Sequence, residues 1–366
     1  MTLHISTLSA MVACQVSDRL LTQSRGGTVA NWDVNANKNI VLLARDALLT
    51  VGYSGIAHIA GRDTDRWLLE SMLGVDLDTA RVTVQGLSVT QPEATEVASS
   101  LASRMAQPVF LPGLPAREWP HSLAVIQRLQ VSLRAWAAAN KTASISVQVV
   151  GWTWRRRYVR GSGQTAAHVA RAASDRVTVY LAEPTRLPRR ADPRLFRPRA
   201  LEIRAIRGRV SIAAGPQWGR DWGHGQTFIS SIGQPVPEQV LEGVRAALGA
   251  GIDQCDRDIA NLLTRAVRDV ALSNPTVGKD CVSVQLFPGA PPHVVIEYRP
   301  ATAAAAPAYS PWVATPGAIM APARFAVESR LDVGGLGVLV LGAVAEDNAP
   351  FVDVSPHIRR RPPAST

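Results

Sequence analysis

The residues of this chain that could do chemistry begin at its second position. The opening stretch MTLHISTLSAMVACQVSDRLLT reads almost entirely as strand, yet it places Thr2 directly behind the initiator methionine and Asp18 sixteen positions later. A threonine hydroxyl is a poor nucleophile and needs a base within hydrogen-bond reach. A free α-amine, with an ordinary pKa of about 7.7 to 8.0, can serve from the same residue. That chemistry requires removal of Met1, and a small second residue suits ordinary methionine removal without a separate propeptide. Other reactive types carry less. His4 and His58, lone histidines on a strand and near a helix start, read as packed or capping residues rather than acids or bases. Cys14, Cys255 and Cys281 are odd in number and lack metal-ligand spacing, so they read as reduced, buried thiols, with neither metal nor cofactor expected. GPQWGRDWGHGQ lacks the spacing of a Walker or dinucleotide loop and reads as a surface loop near a site mouth.

Charge and hydropathy bound the class. With 46% hydrophobic and 19% charged residues over 366 positions, the chain has ordinary globular composition, which excludes disorder throughout. The net charge of +10 is concentrated between Arg155 and Arg209, in WRRRYVRG and TRLPRRADPRLFRPRALEIRAIRGR. Such a stripe attracts phosphates, and Trp152 and Trp154 beside it could stack on bases. A solvated or subunit-contacting arginine face, with both tryptophans packed on a helix layer, is favoured over a nucleic-acid partner. VGGLGVLVLGAVA, from Val333, is the longest apolar run and falls short of the roughly 18 residues a spanning helix needs. The start lacks the basic flank of a signal peptide. A soluble, cytoplasmic protein with no membrane partner is expected.

The elements that must position these residues follow from periodicity. Residues 2 to 9 and 11 to 16 alternate as a hairpin, and KNIVLLARDALLTVGYSG gives two more strands around an Arg-Asp turn. DTDRWLLESML predicts a helix with Trp67, Leu68 and Met72 on one side. PEATEVASSLASRMA and HSLAVIQRLQVSLRAWAAA predict two further helices, the latter with Leu123, Ile126, Leu133 and Trp136 near the helical period. SISVQVVGWTW, RVTVYLAEP, LEIRAIRGRVSIAAG and QTFISSIG read as strands. PVPEQVLEGVRAALGAG and DQCDRDIANLLTRAVRDVALSN read as helices, and VGKDCVSVQLF and HVVIEYRP as closing strands. Strands, helix pair, strands, helix pair, strands is an α+β order in which two sheets each need a helical layer. PATAAAAPAYSP reads as a linker, which divides the chain into a domain over 1–299 and an extension over 300–366. YSPWVATPGAIMAPARF within that extension reads as a strap across the body or a neighbour.

This order, together with Thr2, Asp18 in VSDRLLT, Lys38 in NANKNIV and Ser54-Gly55 in GYSGIAHIAGRDTD, resembles the proteasome β-subunit family of N-terminal-nucleophile hydrolases over roughly residues 2 to 298. The resemblance implies a four-layer αββα sandwich and a threonine hydrolase that cleaves amide bonds, taken as peptide bonds, of peptide or protein substrates. It implies that Thr2 attacks, that Lys38 favours its alkoxide, that Asp18 holds Lys38 charged and oriented, and that the Gly55 N–H stabilises the oxyanion. Asp269 and Ser273 are the candidates for the support the family draws from its last helix. Gln234 follows the glycine of ISSIGQPVPEQVL where the family carries a serine. Homo-oligomers of ring type are implied as well. Two other readings stand beside this one: a non-catalytic scaffold or ring subunit of the same fold, and a polyanion-binding protein using the Arg155–Arg209 stripe.

Overall fold

All six residues of the opening strand are buried, and so are all six of the next, which requires covering layers on both of their faces. In the computed structural model, β1 (Leu3–Leu8) and β2 (Ala13–Asp18) pair antiparallel from His4 opposite Ser17 to Leu8 opposite Ala13. Strand alternation then divides their side chains. Leu3, Ile5, Cys14 and Val16 join a helix-facing core, and Leu8 and Ala13 join a core shared with a second sheet. The structure describes residues 2–9, 12–25, 28–33, 36–79, 81–84, 87–90, 110–114, 118–154, 196–214, 227–249, 256–287, 293–302, 308–316, 318–322, 324–325, 330–334, 352–353 and 359–360.

The expected Arg-Asp hairpin is formed by β3 (Asn39–Ala44) and β4 (Ala47–Ser54). Strands β5 (Phe110–Pro112), β6 (Ser144–Trp154), β7 (Phe196–Ile206), β8 (Arg209–Ala214), β9 (Phe228–Gly233), β10 (Cys281–Phe287) and β11 (His293–Arg299) follow. The last three strands of the two large sheets are β12 (Trp312–Thr315), β13 (Ala318–Met320) and β14 (Arg330–Gly334). One sheet has the order β9-β1-β2-β10-β11-β14 and the other β5-β13-β12-β3-β4-β6-β7-β8. Pairing is antiparallel except between β12 and β3, which run parallel.

Four described helices cover these sheets: α1 (Thr64–Leu73), α2 (Ser122–Ala139), α3 (Glu238–Gly249) and α4 (Asp256–Ser273). Trp67, Leu68 and Met72 of α1 and Leu129 and Leu133 of α2 share a core with Ile40, Val51 and Val147 of the eight-stranded sheet. Leu263, Val267 and Val270 of α4 and Val244 of α3 share another with Leu3, Ile5 and Val295 of the six-stranded sheet. A third core, which includes Leu8, Val41, Leu48, Val150, Trp152 and Val284, lies between the sheets. Among the described residues no helix is long and apolar enough to cross a membrane.

Several expectations are corrected. The buried stripe of α2 is Val125, Leu129, Leu133 and Trp136, whereas Leu123 is 65% exposed, because the helix turns its i, i+4, i+8 row to the sheet. Trp152 does not pack on a helix layer or stand ready to stack on bases. It lies between the sheets and donates its indole N–H to the Leu286 carbonyl at 3.2 Å. The composition break at residue 300 does not interrupt the sheets, since β12, β13 and β14 all follow it and extend both. The helix expected over 92–106, the strand over 176–184, the loop over 215–226, Cys255 and the 155–195 part of the arginine stripe lie outside the described residues.

The Arg-Asp turn also does more than reverse the chain. Asp46 accepts hydrogen bonds from the Ser122 backbone N–H at 2.6 Å and the Ser122 hydroxyl at 3.1 Å, so a carboxylate sits where the N-terminal dipole of α2 favours an anion. Replacing Leu129 with Ala should cost about 2–5 kcal/mol in urea denaturation through lost burial and a cavity, whereas Leu123→Ala should stay within about 0.5 kcal/mol. Equal losses would contradict the assigned orientation of α2.

Candidate functional site

Asp18 ends β2 with its carboxylate fully buried. One oxygen accepts from the Leu3 N–H at 2.8 Å and from the Lys38 ammonium at 3.0 Å. The other accepts from the Gly278 N–H at 2.9 Å and the Leu20 N–H at 3.3 Å. A second acceptor for Lys38 is the Leu20 carbonyl at 2.7 Å. A buried ion pair costs desolvation of both charges and persists only where their remaining hydrogen-bonding capacity is satisfied. Here the carboxylate meets three backbone donors besides the lysine. Burial drives the Lys38 pKa below its ordinary value, Asp18 opposes that shift, and Arg19 adds to it. Arg19 is itself buried, with its guanidinium 5.1 Å from the centre of the Tyr298 ring.

Thr2 precedes β1 and is 3% exposed. Two chain corners meet its carbonyl. From the end of β4, the Ser54 hydroxyl donates to it at 3.3 Å, and from the end of β9 the Gln234 N–H donates at 2.9 Å. The second corner needs glycine. Gly233 has φ of 94°, and a Cβ there would stand 1.7 Å from the Thr2 carbonyl oxygen. Gly55, exposed just past Ser54, has φ of 126°. Strand, corner and buried cation thus converge on the start of β1.

Of the residues singled out from the sequence, Thr2, Asp18, Lys38 and the Ser54-Gly55 corner lie around this point. Asp269 and Ser273 do not join them. Asp269 is exposed, and the Ser273 hydroxyl donates to the Val270 carbonyl of its own helix at 3.2 Å, because α4 turns its apolar Ile259, Leu263, Val267 and Val270 row inward. The side chains behind the second corner are Asn274 and Thr276. Asn274 donates its amide N–H to the Gln234 side-chain oxygen at 3.1 Å and accepts from the Thr276 N–H at 3.0 Å and its hydroxyl at 2.6 Å. Asn274 and Thr276 were missed because they follow the helix rather than lie within it. The Asn-Pro-Thr turn signal in SNPTVG was available to find them.

His4 sits two residues beyond Thr2 and is fully buried. Burial, and then the Lys38 charge, lower its pKa to about 3. The Tyr53 backbone pulls weakly in the opposite direction without meeting hydrogen-bond geometry. A ring with so little proton affinity is no general base at neutral pH. Cys281, buried beside Asp18, is likewise held as an unreactive thiol by burial and then by the carboxylate, with its pKa near 12.

No family model and no curated protein matches the chain. Among solved structures it is similar to the Gly-1 mutant of Anbu from Hyphomicrobium sp. strain MC1, at 11% identity over 79% of this chain and 82% of that one, with a TM-score of 0.38.

Two outcomes follow. Asp18→Asn would turn an amide N–H toward backbone donors and leave Lys38 without its counter-charge, so stability in urea should fall by about 3–5 kcal/mol; a loss below about 1 kcal/mol would mean the pair is not buried as described. For His4, the unfolded chain takes up a proton below pH 6.5 that the folded chain refuses until about pH 3. Stability is therefore fully present above pH 6.5 and is lost as the pH falls toward 3, by up to about 1.4 kcal/mol per pH unit. His4→Phe should remove that part of the slope in denaturation across a pH series.

Proposed function

We propose that this chain is a proteasome-like N-terminal-nucleophile hydrolase, a four-layer αββα sandwich that cleaves amide bonds of peptides or proteins with Thr2. The observation that carries the reading is the Asp18 carboxylate, which binds the Lys38 ammonium and the Leu3 N–H through one oxygen and so ties a buried cation to the residue after Thr2. In this reading the α-amine of Thr2 is freed by removal of what precedes it. The Thr2 hydroxyl oxygen attacks the substrate carbonyl carbon and its proton passes to the α-amine. Lys38 lowers the cost of the developing alkoxide, and the Gly55 N–H on its exposed corner receives the oxyanion. Collapse of the tetrahedral adduct breaks the carbon–nitrogen bond, the α-amine returns the proton to the leaving amine, and an ester on Thr2 remains. Water then attacks that ester, giving its proton to the same amine; collapse of this second adduct breaks the bond between the acyl carbon and the Thr2 oxygen, the amine returns the proton to that oxygen, and the acid product leaves.

A neutral outer support belongs to this reading. Gln234 and Asn274 stand behind Thr2 as amides, so the support bonded to its carbonyl from that side is uncharged among the described residues. Exposed Leu123 and Val131 on α2 and Leu272 on α4 support contacts between helical layers of neighbouring copies in a ring. The non-catalytic scaffold reading is favoured by one observation, the outward placement of Asp269 and Ser273.

Intact-mass measurement should find Thr2 as the first residue and a single adduct per chain after incubation with an electrophilic peptide probe. Thr2→Ala should abolish that adduct with an unchanged melting temperature. A chain that retains Met1, or labelling that survives Thr2→Ala, would sink the hydrolase and leave the scaffold. Light scattering on the same sample should give a multiple of the 39.2 kDa chain mass; a monomer would remove the ring.

A further inference from the structure

The layer between the two sheets changes character along its length. At one end it is apolar, around Leu8, Val41, Leu48, Val150 and Trp152. Toward Thr2 it becomes polar. Ser6 donates to Gln148 at 2.6 Å, Gln15 donates to Ser6 at 3.1 Å, and Thr50 donates to Gln15 at 3.0 Å, which links the two sheets through side chains alone. Next in line stand His4 and Ser17, opposite each other in one sheet, and Asn39 and Gly52, opposite each other in the other. Asn39 donates to the Ser17 hydroxyl across the layer at 2.9 Å. A Cβ on Gly52 would lie 2.6 Å from His4 Nδ1, so the imidazole occupies the space that the glycine leaves.

Three polar atoms in this group have no hydrogen-bond partner among the described residues: both ring nitrogens of His4 and the Asn39 side-chain oxygen. Both residues are fully buried. An unmade hydrogen bond of this kind costs about 1–3 kcal/mol per group, and a buried polar site of two to four partners is where proteins hold a structural water. A neutral imidazole offers one donor and one acceptor, and Asn39 offers a further acceptor, which matches the donor and acceptor capacity of a water. His4 and Ser6 share one face of β1, and Thr2, immediately before the strand, is the next residue along that alternation.

We infer that His4 and Asn39 hold a buried water between the sheets that bridges to the Thr2 hydroxyl, making His4 a positioning residue for the nucleophile. The inference rests on the hydrolase reading for its functional half and not for the water itself. The water fixes the rotamer of the hydroxyl toward the substrate, and His4, being neutral, does so without competing with Lys38 for charge. The charge that acts on the ring is that of Lys38, which is itself paired with Asp18.

A crystal structure of the full chain at a resolution that defines ordered water tests the first half. Density for a water within hydrogen-bond distance of a His4 ring nitrogen and the Asn39 oxygen is expected, and its absence overturns the inference whether or not the chain is an enzyme. His4→Phe, which keeps the ring volume and deletes both nitrogens, tests the second. Thr2 labelling by the electrophilic peptide should slow roughly tenfold or more with the melting temperature retained, and His4→Asn should recover part of the rate. Unchanged labelling in His4→Phe overturns the positioning role. If His4→Phe does not fold, Asn39→Leu carries the same prediction. If the unmodified chain never labels while the water is present, the hydrolase reading has failed, the water site stands and the positioning role falls.

Discussion

One buried carboxylate organises the structure around the start of the chain. Asp18 gathers the N–H of Leu3, the N–H of Leu20, the N–H of Gly278 and the ammonium of Lys38. Those partners come from β1, from the turn after β2, from the loop after α4 and from the segment leading into β3. The cost of burying an ion pair makes this arrangement all-or-none: each donor stabilises a charge that would otherwise expel the others. The pair therefore holds four chain segments in register, and the position of Thr2 relative to the lysine is a consequence of that register.

The sheet–sheet layer supplies the setting. An apolar interface fixes how the two sheets stack, through Trp152, Leu48 and Val284 among others. The polar end cannot contribute in the same way, because hydroxyls and amides gain little from burial itself and must find partners. Ser6, Gln15, Thr50 and Gln148 find them in one another. A gradient of this kind puts adhesion at one end and directional bonding at the other, toward the start of β1.

Two corners close the site, and each demands glycine: at the Ser54-Gly55 corner a Cβ on Gly55 would stand 2.3 Å from the Ser144 carbonyl oxygen. The β9–α3 corner requires glycine, because the backbone of Gly233 passes against the Thr2 carbonyl too closely for any side chain. Behind it the support is built from amides and a hydroxyl, Gln234, Asn274 and Thr276, rather than from a carboxylate. Neutral groups fix geometry without adding a net charge, so the charges described around the start of the chain are those of Asp18, Lys38 and Arg19.

Much of the frame was legible before any coordinates. The opening hairpin, the Arg-Asp hairpin and the helices at 64–73, 122–139, 238–249 and 256–273 follow from local alternation, periodicity and punctuation, which act over a few residues. Within α2 periodicity does not fix the face, since Leu123 and Ile126 fit the helical period nearly as well as Val125 and Leu129, and only the sheet decides which row it covers. The strands after residue 300 were hidden in an Ala/Pro-rich stretch, because their pairing partners lie more than two hundred residues away or in a strand that itself has no local signature of an edge.

By itself, the sequence determined which residue types were available near the first strand: a threonine at position 2, an aspartate closing the second strand, a lysine beyond it and glycines at two strand ends. Tertiary structure alone decided that Asp18 would bond Gly278 across 260 positions, that Asn274, held by Thr276, rather than Asp269 or Ser273 would bond Gln234, and that burial would lower the His4 pKa. Those outcomes depend on burial and on donors brought from distant segments. Hydrogen bonding and desolvation act through space, and spacing along the chain does not encode them.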